Sequence, residues 1–251
     1  MGRSSTPVSL IGGVHAVMAA LQGRRPVYRV WRLASATRDN DVLEQELAVH
    51  GLSAEPIERS ELDRRLPNIA HQGVAAEIAA PEAIDEQALA ETIALAGSTS
   101  LVLALDQIQD PHNLGACLRS AAAAGVDAVI APRRQAVGLT SSAIKVAAGG
   151  AEYVPFARVT NLARTLTWLQ DAGYFSTGLE GEAPSSIDTL DLGGRHVIVA
   201  GGEADGLRRR TTDCCDRLGS IPLCGSIESL NVSVAVGVAL FEARRQQRQG
   251  G

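Results

Sequence analysis

The sequence contains only four cysteines, and no pair of them has the C-x-x-C spacing of a metal site. Neither a zinc site nor a disulfide framework is predicted, and such cysteines are typical of small buried side chains in a reducing cytoplasm. No apolar run approaches the roughly 20 residues that a membrane-spanning helix needs. Faint N-terminal similarities to a myristoylation site and to a signal peptide lack a polybasic segment and an unbroken apolar core. We therefore expect a cytoplasmic protein without a membrane partner and without a bound metal.

Lysine and aromatic residues are also scarce. Lys145 is the single lysine among 23 basic residues, and aromatic residues make up 3% of the 251-residue chain. The formal net charge of -5 argues at first against nucleic acid as a partner, since phosphates are bound chiefly by basic side chains. The charge is uneven, however: residues 1–40 hold six arginines and one acid, whereas residues 41–92 hold three arginines and twelve acids. Because arginine suits bidentate phosphate contacts, the composition does not exclude an RNA partner.

An apolar fraction of 45% with a mild charge imbalance excludes a disordered chain, and the pattern of apolar residues predicts two α/β regions. Residues 8–80 predict a small α/β module. Residues 81–98 begin acidic and end rich in Gly, Ser and Thr, which indicates a linker helix and a domain boundary. Residues 99–251 predict alternating strands and helices of the kind that build a mostly parallel sheet.

The same patterns predict the individual elements. In the first module we expect helices over 14–21, 40–50 and 61–66, and strands over 27–33, 54–58 and 73–79. In the second region we expect strands over 101–105, 126–132, 174–179, 195–202 and 219–223, with helices over 113–125, 141–150, 161–173 and 229–247.

Three polar segments of the second region each follow a predicted apolar strand, at the edge where open α/β sheets bind ligands. In the first, DQIQDPHNLGACLRS over 106–120, Asp110 is placed to cap a helix and Pro111 to open it. Asn113 then lies in the first turn and Arg119 about two turns along. A capped helix with a surface arginine explains this segment equally well, although Asn113 is unusual on a helix of small, apolar residues.

The second segment is VIVAGGEADGLRRR, in which Gly201 and Gly202 end a strand, Glu203 follows at once and Gly206 opens a turn. Glycines in such positions allow close approach of the backbone to a ligand. The spacing matches neither the dinucleotide fingerprint nor a P-loop. An ordinary strand-to-helix turn is the competing explanation.

The third segment, IPLCGSIESLNVS, places Ser229 and Asn231 immediately before an apolar helix. Taken alone, it favours Ser229 as the N-cap of that helix.

In this order and at these distances, the three segments resemble the three motifs of the SpoU/TrmH family of RNA ribose 2'-O-methyltransferases, within the SPOUT superfamily. The residues that match the motifs are Asn113, Arg119, Glu203, Ser229 and Asn231. The N-terminal module, with HQGV over 71–74, resembles the substrate-binding domain of the bacterial type that methylates a guanosine in the peptidyl-transferase loop of 23S rRNA. Family members commonly have Gly after the motif-two glutamate, where this chain has Ala204; we expect a slightly shifted loop without loss of cofactor binding.

The resemblance implies a C-terminal domain tied in a trefoil knot, preceded by a small L30e-like α/β domain that binds the RNA substrate. It also implies S-adenosylmethionine as the cofactor, held chiefly by backbone groups that correspond here to Gly201, Ile221 and Leu230. A homodimer through the catalytic domain is implied as well, and the apolar last helix is consistent with one. The expected RNA partner is 23S rRNA or an assembling large ribosomal subunit.

In the family, the residue matching Arg119 activates or positions the ribose hydroxyl, Asn113 fixes its geometry, and Glu203, Ser229 and Asn231 hold the loops. Because arginine stays protonated, we expect a positioning and electrostatic role for Arg119 rather than a general base. Basic residues expected to contact RNA phosphates are Arg24, Arg25, Arg29, Arg32, Arg38, Arg133 and Arg134.

Three other functions compete with this interpretation. A tRNA guanosine 2'-O-methyltransferase is the main rival, and only the resemblance of the N-terminal module favours rRNA. A catalytically silent RNA-binding factor of ribosome assembly is disfavoured because every motif residue is present. A Rossmann-type dehydrogenase is disfavoured because the dinucleotide fingerprint is missing.

Overall fold

The computed structural model describes residues 8–22, 25–34, 41–67, 69, 71–202 and 206–249. The chain divides into two compact units, residues 1–81 and 82–251. The segment over 81–98 that the sequence predicts as a linker falls almost entirely in the second unit. No helix among the described residues is long and apolar enough to cross a membrane.

The first unit is a four-stranded sheet in the order β1-β4-β2-β3, in which β2 and β3 are parallel and the other pairs antiparallel. Its elements are β1 Val8–Gly12, α1 Val14–Leu21, β2 Val27–Leu33, α2 Asp41–Val49, β3 Ala54–Ile57, α3 Arg59–Arg65 and β4 Val74–Ala79. Successive residues of β2 point to opposite faces: Val30 joins a core with α1 and α2, whereas Trp31 packs with Leu62 of α3.

The second unit is built on a six-stranded sheet in the order β10-β8-β9-β5-β6-β7, and every neighbouring pair is parallel. Its strands are β5 Leu101–Leu105, β6 Ala128–Pro132, β7 Phe156–Val159, β8 Phe175–Leu179, β9 His196–Ala200 and β10 Arg217–Gly219. Its helices are α4 Glu86–Leu95, α5 Pro111–Ala123, α6 Ser141–Ala147, α7 Gly150–Tyr153, α8 Leu162–Asp171, α9 Arg209–Thr212 and α10 Val232–Gln249.

Both faces of this parallel sheet are covered, which explains why its central strands β9, β5 and β6 are mostly apolar. On β5, Leu103 belongs to a core shared with α5 and α10, whereas Val102 belongs to a core shared with α4 and α8. All five residues of β5 are fully buried. The buried polar side chains inside the strands of this sheet are hydrogen-bonded, as Thr177 of β8 is to His196 of β9 at 2.9 Å.

Most of the predicted elements are confirmed, with two corrections and four omissions. Asp110 caps α5 and Pro111 opens it, as predicted. The last strand is Arg217–Gly219 and not 219–223, because Pro222 lacks an N–H and the residues after Ile221 are exposed. Helix α10 begins at Val232 and not at Ser229. The sequence analysis did not predict β1, α7, β7 or α9.

Helix α5 packs so closely against α6 and α7 that no side chain fits between the backbones at two positions. A Cβ atom on Gly115 would lie 2.5 Å from the carbonyl oxygen of Ala143 in α6. A Cβ atom on Gly150 of α7 would lie 2.8 Å from the Cα of Arg119. Since neither position has room for a side chain, the two glycines fix α5 against α6 and α7, and with it the backbone of the first motif segment.

Candidate active site

A cleft of about 660 Å³ opens at the carboxyl edge of the parallel sheet. Its walls are formed by the segments that follow β8, β9 and β10 and by the start of α10. All three residues predicted to contact a cofactor line it, and two of the predicted catalytic residues do so as well: Gly201, Ile221, Leu230, Ser229 and Asn231. The second and third motif segments thus share one cavity.

One wall of the cleft is made of backbone, which we call the glycine wall: Gly201, Gly202 and Gly206. A Cβ atom on Gly201 would lie 2.1 Å from the carbonyl carbon of Gly206, so only glycine fits there. The N–H of Gly206 donates to the carbonyl oxygen of Gly202 at 2.9 Å, and Gly206 has a φ of 62°, which favours glycine. The glycine wall therefore offers peptide groups, with no side chain in the way.

Asn231 joins the third motif segment to the first. Its Nδ2 donates to Oδ1 of Asn113 at 3.0 Å, across 118 positions of the chain. Its Oδ1 accepts from the backbone N–H of Ser233 at 2.9 Å and from the Ser233 hydroxyl at 2.6 Å. Because a backbone N–H only donates, the oxygen of Asn231 must face Ser233, which turns its amide nitrogen toward Asn113. Asn231 thereby orients the buried Asn113 amide.

The N-cap of α10 is Asn231 and not Ser229, which the third segment taken alone had favoured. Asn231 directly precedes the helix, and its side chain bonds the N–H of the second helical residue. Ser229 lies two residues earlier, is exposed and lines the cleft. Its hydroxyl is thus available to a ligand rather than needed by the helix.

Arg119 does not line the cleft. It lies six residues after Asn113 on α5, about 9 Å along the helix axis, and its side chain is exposed. Within the described part of the chain its guanidinium makes no hydrogen bond or ion pair. The structure thus brings Asn113, Ser229 and Asn231 to the cleft or its edge and leaves Arg119 outside. Glu203, like Ala204 beside it, falls outside the described residues.

The charged side chains that line the cleft among the described residues are both acidic, Glu180 and Glu228. A wall with two carboxylates favours a cationic ligand over an anionic one. No group of three or more His, Cys, Asp or Glu in the described ranges is arranged to hold a metal ion.

Sequence reasoning missed a polar cluster next to the glycine wall, in which the buried Asp106 and Thr211 meet the partly exposed Arg208. The one available signal was an acidic residue directly after the apolar strand LVLAL. Beside this cluster, burial raises the pKa of the Cys215 thiol to about 12, and its Sγ donates to the Thr211 carbonyl oxygen at 3.3 Å. A thiol with so high a pKa stays protonated and is not a nucleophile at neutral pH.

Two family models match the chain and together cover most of it. The SpoU rRNA Methylase family matches residues 100–241. The model for RNA 2'-O ribose methyltransferase substrate binding matches residues 10–83.

Individual relatives agree with these models. The 23S rRNA (guanosine-2'-O-)-methyltransferase RlmB of Vibrio cholerae is 46% identical over 241 residues, 95% of this chain and 97% of its own. The enzyme of the same name from Coxiella burnetii is 45% identical over 96% of both chains. Among solved structures, the SpoU methyltransferase AviRb of Streptomyces viridochromogenes in complex with AdoMet superimposes with a TM-score of 0.73. It is 22% identical and covers 97% of this chain and 92% of that chain.

The glycine wall generates a direct test of the cleft. In Gly201→Ala the new methyl group meets the backbone of Gly206 at 2.1 Å, so the wall must shift. We expect S-adenosylmethionine to bind at least about tenfold more weakly in isothermal titration calorimetry, about 1.4 kcal/mol of binding free energy. Gly225→Ala is the matched control, because a Cβ atom there meets nothing within 4 Å. Wild-type affinity in Gly201→Ala, or an equal loss in both variants, would contradict this assignment.

Proposed function

Because this chain belongs to the SpoU rRNA methylase family, we propose that it methylates the ribose 2'-hydroxyl of a guanosine in the peptidyl-transferase loop of 23S rRNA. It is an RNA 2'-O-methyltransferase that uses S-adenosylmethionine. One observation carries the choice of 23S rRNA over tRNA. Relatives named for that substrate match both units at 45–46% identity, including the first unit that matches the substrate-binding model.

The cleft fits the cofactor in shape and charge. Its volume of about 660 Å³ lies in the range of small-molecule sites, and its backbone-lined wall leaves peptide groups for the ligand. The carboxylates of Glu180 and Glu228 complement a cation. We propose that Gly201, Ile221 and Leu230 hold the cofactor, which supplies a methyl group already activated for displacement.

The polar residues around the cleft have different proposed roles in the reaction. We propose that Asn113, oriented by Asn231 at 3.0 Å, fixes the geometry of the ribose, and that Ser229 and Glu203 hold neighbouring polar groups. Arg119 carries a permanent charge on an exposed helix face. It positions the 2'-hydroxyl and stabilises the negative charge that develops on the oxygen as its proton leaves for solvent.

The predicted RNA-binding arginines fall into three groups. Arg29, Arg133 and Arg134 are exposed, and we propose them as phosphate contacts; Nε of Arg133 also donates to the Arg158 carbonyl oxygen at 3.0 Å, which leaves its two terminal nitrogens for a phosphate. Arg25 donates to the Ala79 carbonyl oxygen at 3.0 Å and Arg32 pairs with Glu44 at 2.8 Å, so both have roles inside the first unit. The two others, Arg24 and Arg38, lie outside the described residues.

We extend the proposal to the architecture that the family resemblance implies. The domains are an L30e-like substrate-binding domain over 8–80, a linker over 81–98 whose helix α4 packs on the second unit, and a trefoil-knotted catalytic domain over 99–251. The protein acts in the cytoplasm on rRNA or on an assembling large subunit. It is a homodimer through α10, on which Val234, Val238 and Phe241 are 51%, 42% and 49% exposed at successive turns.

The substrate is tested by incubating the protein with labelled S-adenosylmethionine and either deproteinised 23S rRNA or total tRNA. We expect label in 23S rRNA and none in tRNA. Label in tRNA alone would overturn the substrate assignment. Label in neither RNA, with S-adenosylmethionine still bound, would favour a silent RNA-binding factor.

Arg119 is tested by separating chemistry from binding. Arg119→Ala is expected to lower methyl transfer at least about 100-fold while S-adenosylmethionine binds as in the wild type, because the side chain lies outside the cleft. Arg119→Lys keeps the charge and should recover part of the rate. Arg164→Ala, which removes an exposed arginine from α8, is the matched control. Equal loss of cofactor binding and of rate in Arg119→Ala would mean that the residue is structural.

The dimer is tested by light scattering. We expect about twice the 26.2 kDa mass of one chain, and Val238→Asp should shift the protein toward the monomer because it places a charge on the exposed apolar face of α10. A monomeric wild-type protein at micromolar concentration would contradict the dimer.

A further inference from the structure

Asp106 is the first residue after the central strand β5, and its side chain is fully buried. Its Oδ1 accepts from the Arg208 guanidinium at 2.5 Å. Its Oδ2 accepts from the Arg208 backbone N–H at 3.1 Å and from the Thr211 hydroxyl at 2.7 Å. A buried carboxylate needs such partners because leaving water costs it strongly. All three of these bonds come from one short segment, residues 208–211.

That segment follows the glycine wall directly. Leu207, between Gly206 and Arg208, is buried in the core that the sheet shares with α4 and α8. Next to Asp106, the carbonyl oxygen of Gln107 lies 3.0 Å from the place that a Cβ atom of Gly202 would take. The chain leaving β5 and the chain leaving β9 are therefore packed backbone against backbone, and the Asp106–Arg208 pair fastens them together.

Arg208 also reaches a third strand end. Its Nη1 donates to Oε1 of Gln135 at 3.0 Å, in the loop that follows β6. The Arg208 side chain is 34% exposed and Asp106 is not exposed at all, so the guanidinium extends from the interior to the surface. Neither residue is among those that line the cleft. Their contacts thus lie outside the lining of the cleft.

We infer that Asp106 and Arg208 are positioning residues that hold the glycine wall in its ligand-competent shape and so set the affinity of the cleft for S-adenosylmethionine. A buried ion pair is weak evidence for a purely stabilising role, because such pairs are often replaceable by apolar residues at little cost. This pair links a rigid central strand to the three glycines of the cleft wall. Preorganisation of such a wall favours binding, since less ordering is left to occur when the ligand arrives.

The inference rests on the proposed function for the identity of the ligand, and its test is a binding measurement. Arg208→Gln removes the ion pair, and Arg209→Gln removes the same charge from the next residue, which is exposed. We measure the dissociation constant of S-adenosylmethionine by calorimetry, well below each variant's midpoint of thermal unfolding. Arg208→Gln is expected to raise it about tenfold, about 1.4 kcal/mol. Arg209→Gln should stay within about twofold, as surface substitutions usually do.

A second variant changes a buried residue, which cannot contact RNA directly. Thr211→Val removes only the buried hydroxyl that bonds Asp106. It should raise the dissociation constant of S-adenosylmethionine, as Arg208→Gln does, but by a smaller factor. Arg208→Lys, which retains the charge without the bidentate geometry, should fall between Arg208→Gln and the wild type.

The outcomes separate this inference from the proposed function. Failure of the wild-type protein to bind S-adenosylmethionine would overturn both. If the wild type binds and Arg208→Gln binds equally well with a lower melting temperature, the pair is only structural and the inference is wrong. If Arg208→Gln leaves cofactor affinity unchanged and weakens RNA binding instead, Arg208 is an RNA contact and the inference is also wrong.

Discussion

The parallel sheet of the second unit is the constraint on which the site depends. Because all six strands run the same way, the segments leaving β8, β9, β10 and β5 emerge at one edge. Helices cover both faces, so the central strands are mostly apolar, and the polar groups of the site lie at that edge. The cleft, the glycine wall and the Asn113–Asn231 hydrogen bond all lie there.

Close backbone packing turns this edge into a defined site. Gly115 and Gly150 let α5 lie directly against α6 and α7. This packing fixes the backbone positions from which the side chains of Asn113 and Arg119 extend. Gly201 lets the chain after β9 turn back on itself at a distance that no side chain permits. The same glycines therefore serve both packing and function. A backbone shift that made room for a side chain at any of these glycines would also move groups of the site.

Sequence patterns predicted the elements and the residues of the motifs, but not the partners that those residues find. Asp110 and Pro111 specify the start of α5 locally, so that start was predictable. The bond between Asn113 and Asn231 joins residues 118 positions apart and depends on the folded sheet. The last strand was misplaced because an apolar stretch resembles a strand even where Pro222 prevents the hydrogen bonds of one. Asp106 was overlooked since its partners come from a distant segment.

The net charge of -5 does not indicate whether the protein binds RNA, because acidic residues and arginines are concentrated in different parts of the sequence. Individual arginines also differ, since Arg32 pairs with Glu44 inside the first unit. We propose that the product is a ribose-methylated guanosine. Mass spectrometry of nucleosides from 23S rRNA treated with the protein and S-adenosylmethionine tests it most directly. We expect 2'-O-methylguanosine at one position of the peptidyl-transferase loop, whereas a methyl group on a base, or on the ribose of another nucleoside, would overturn the proposal.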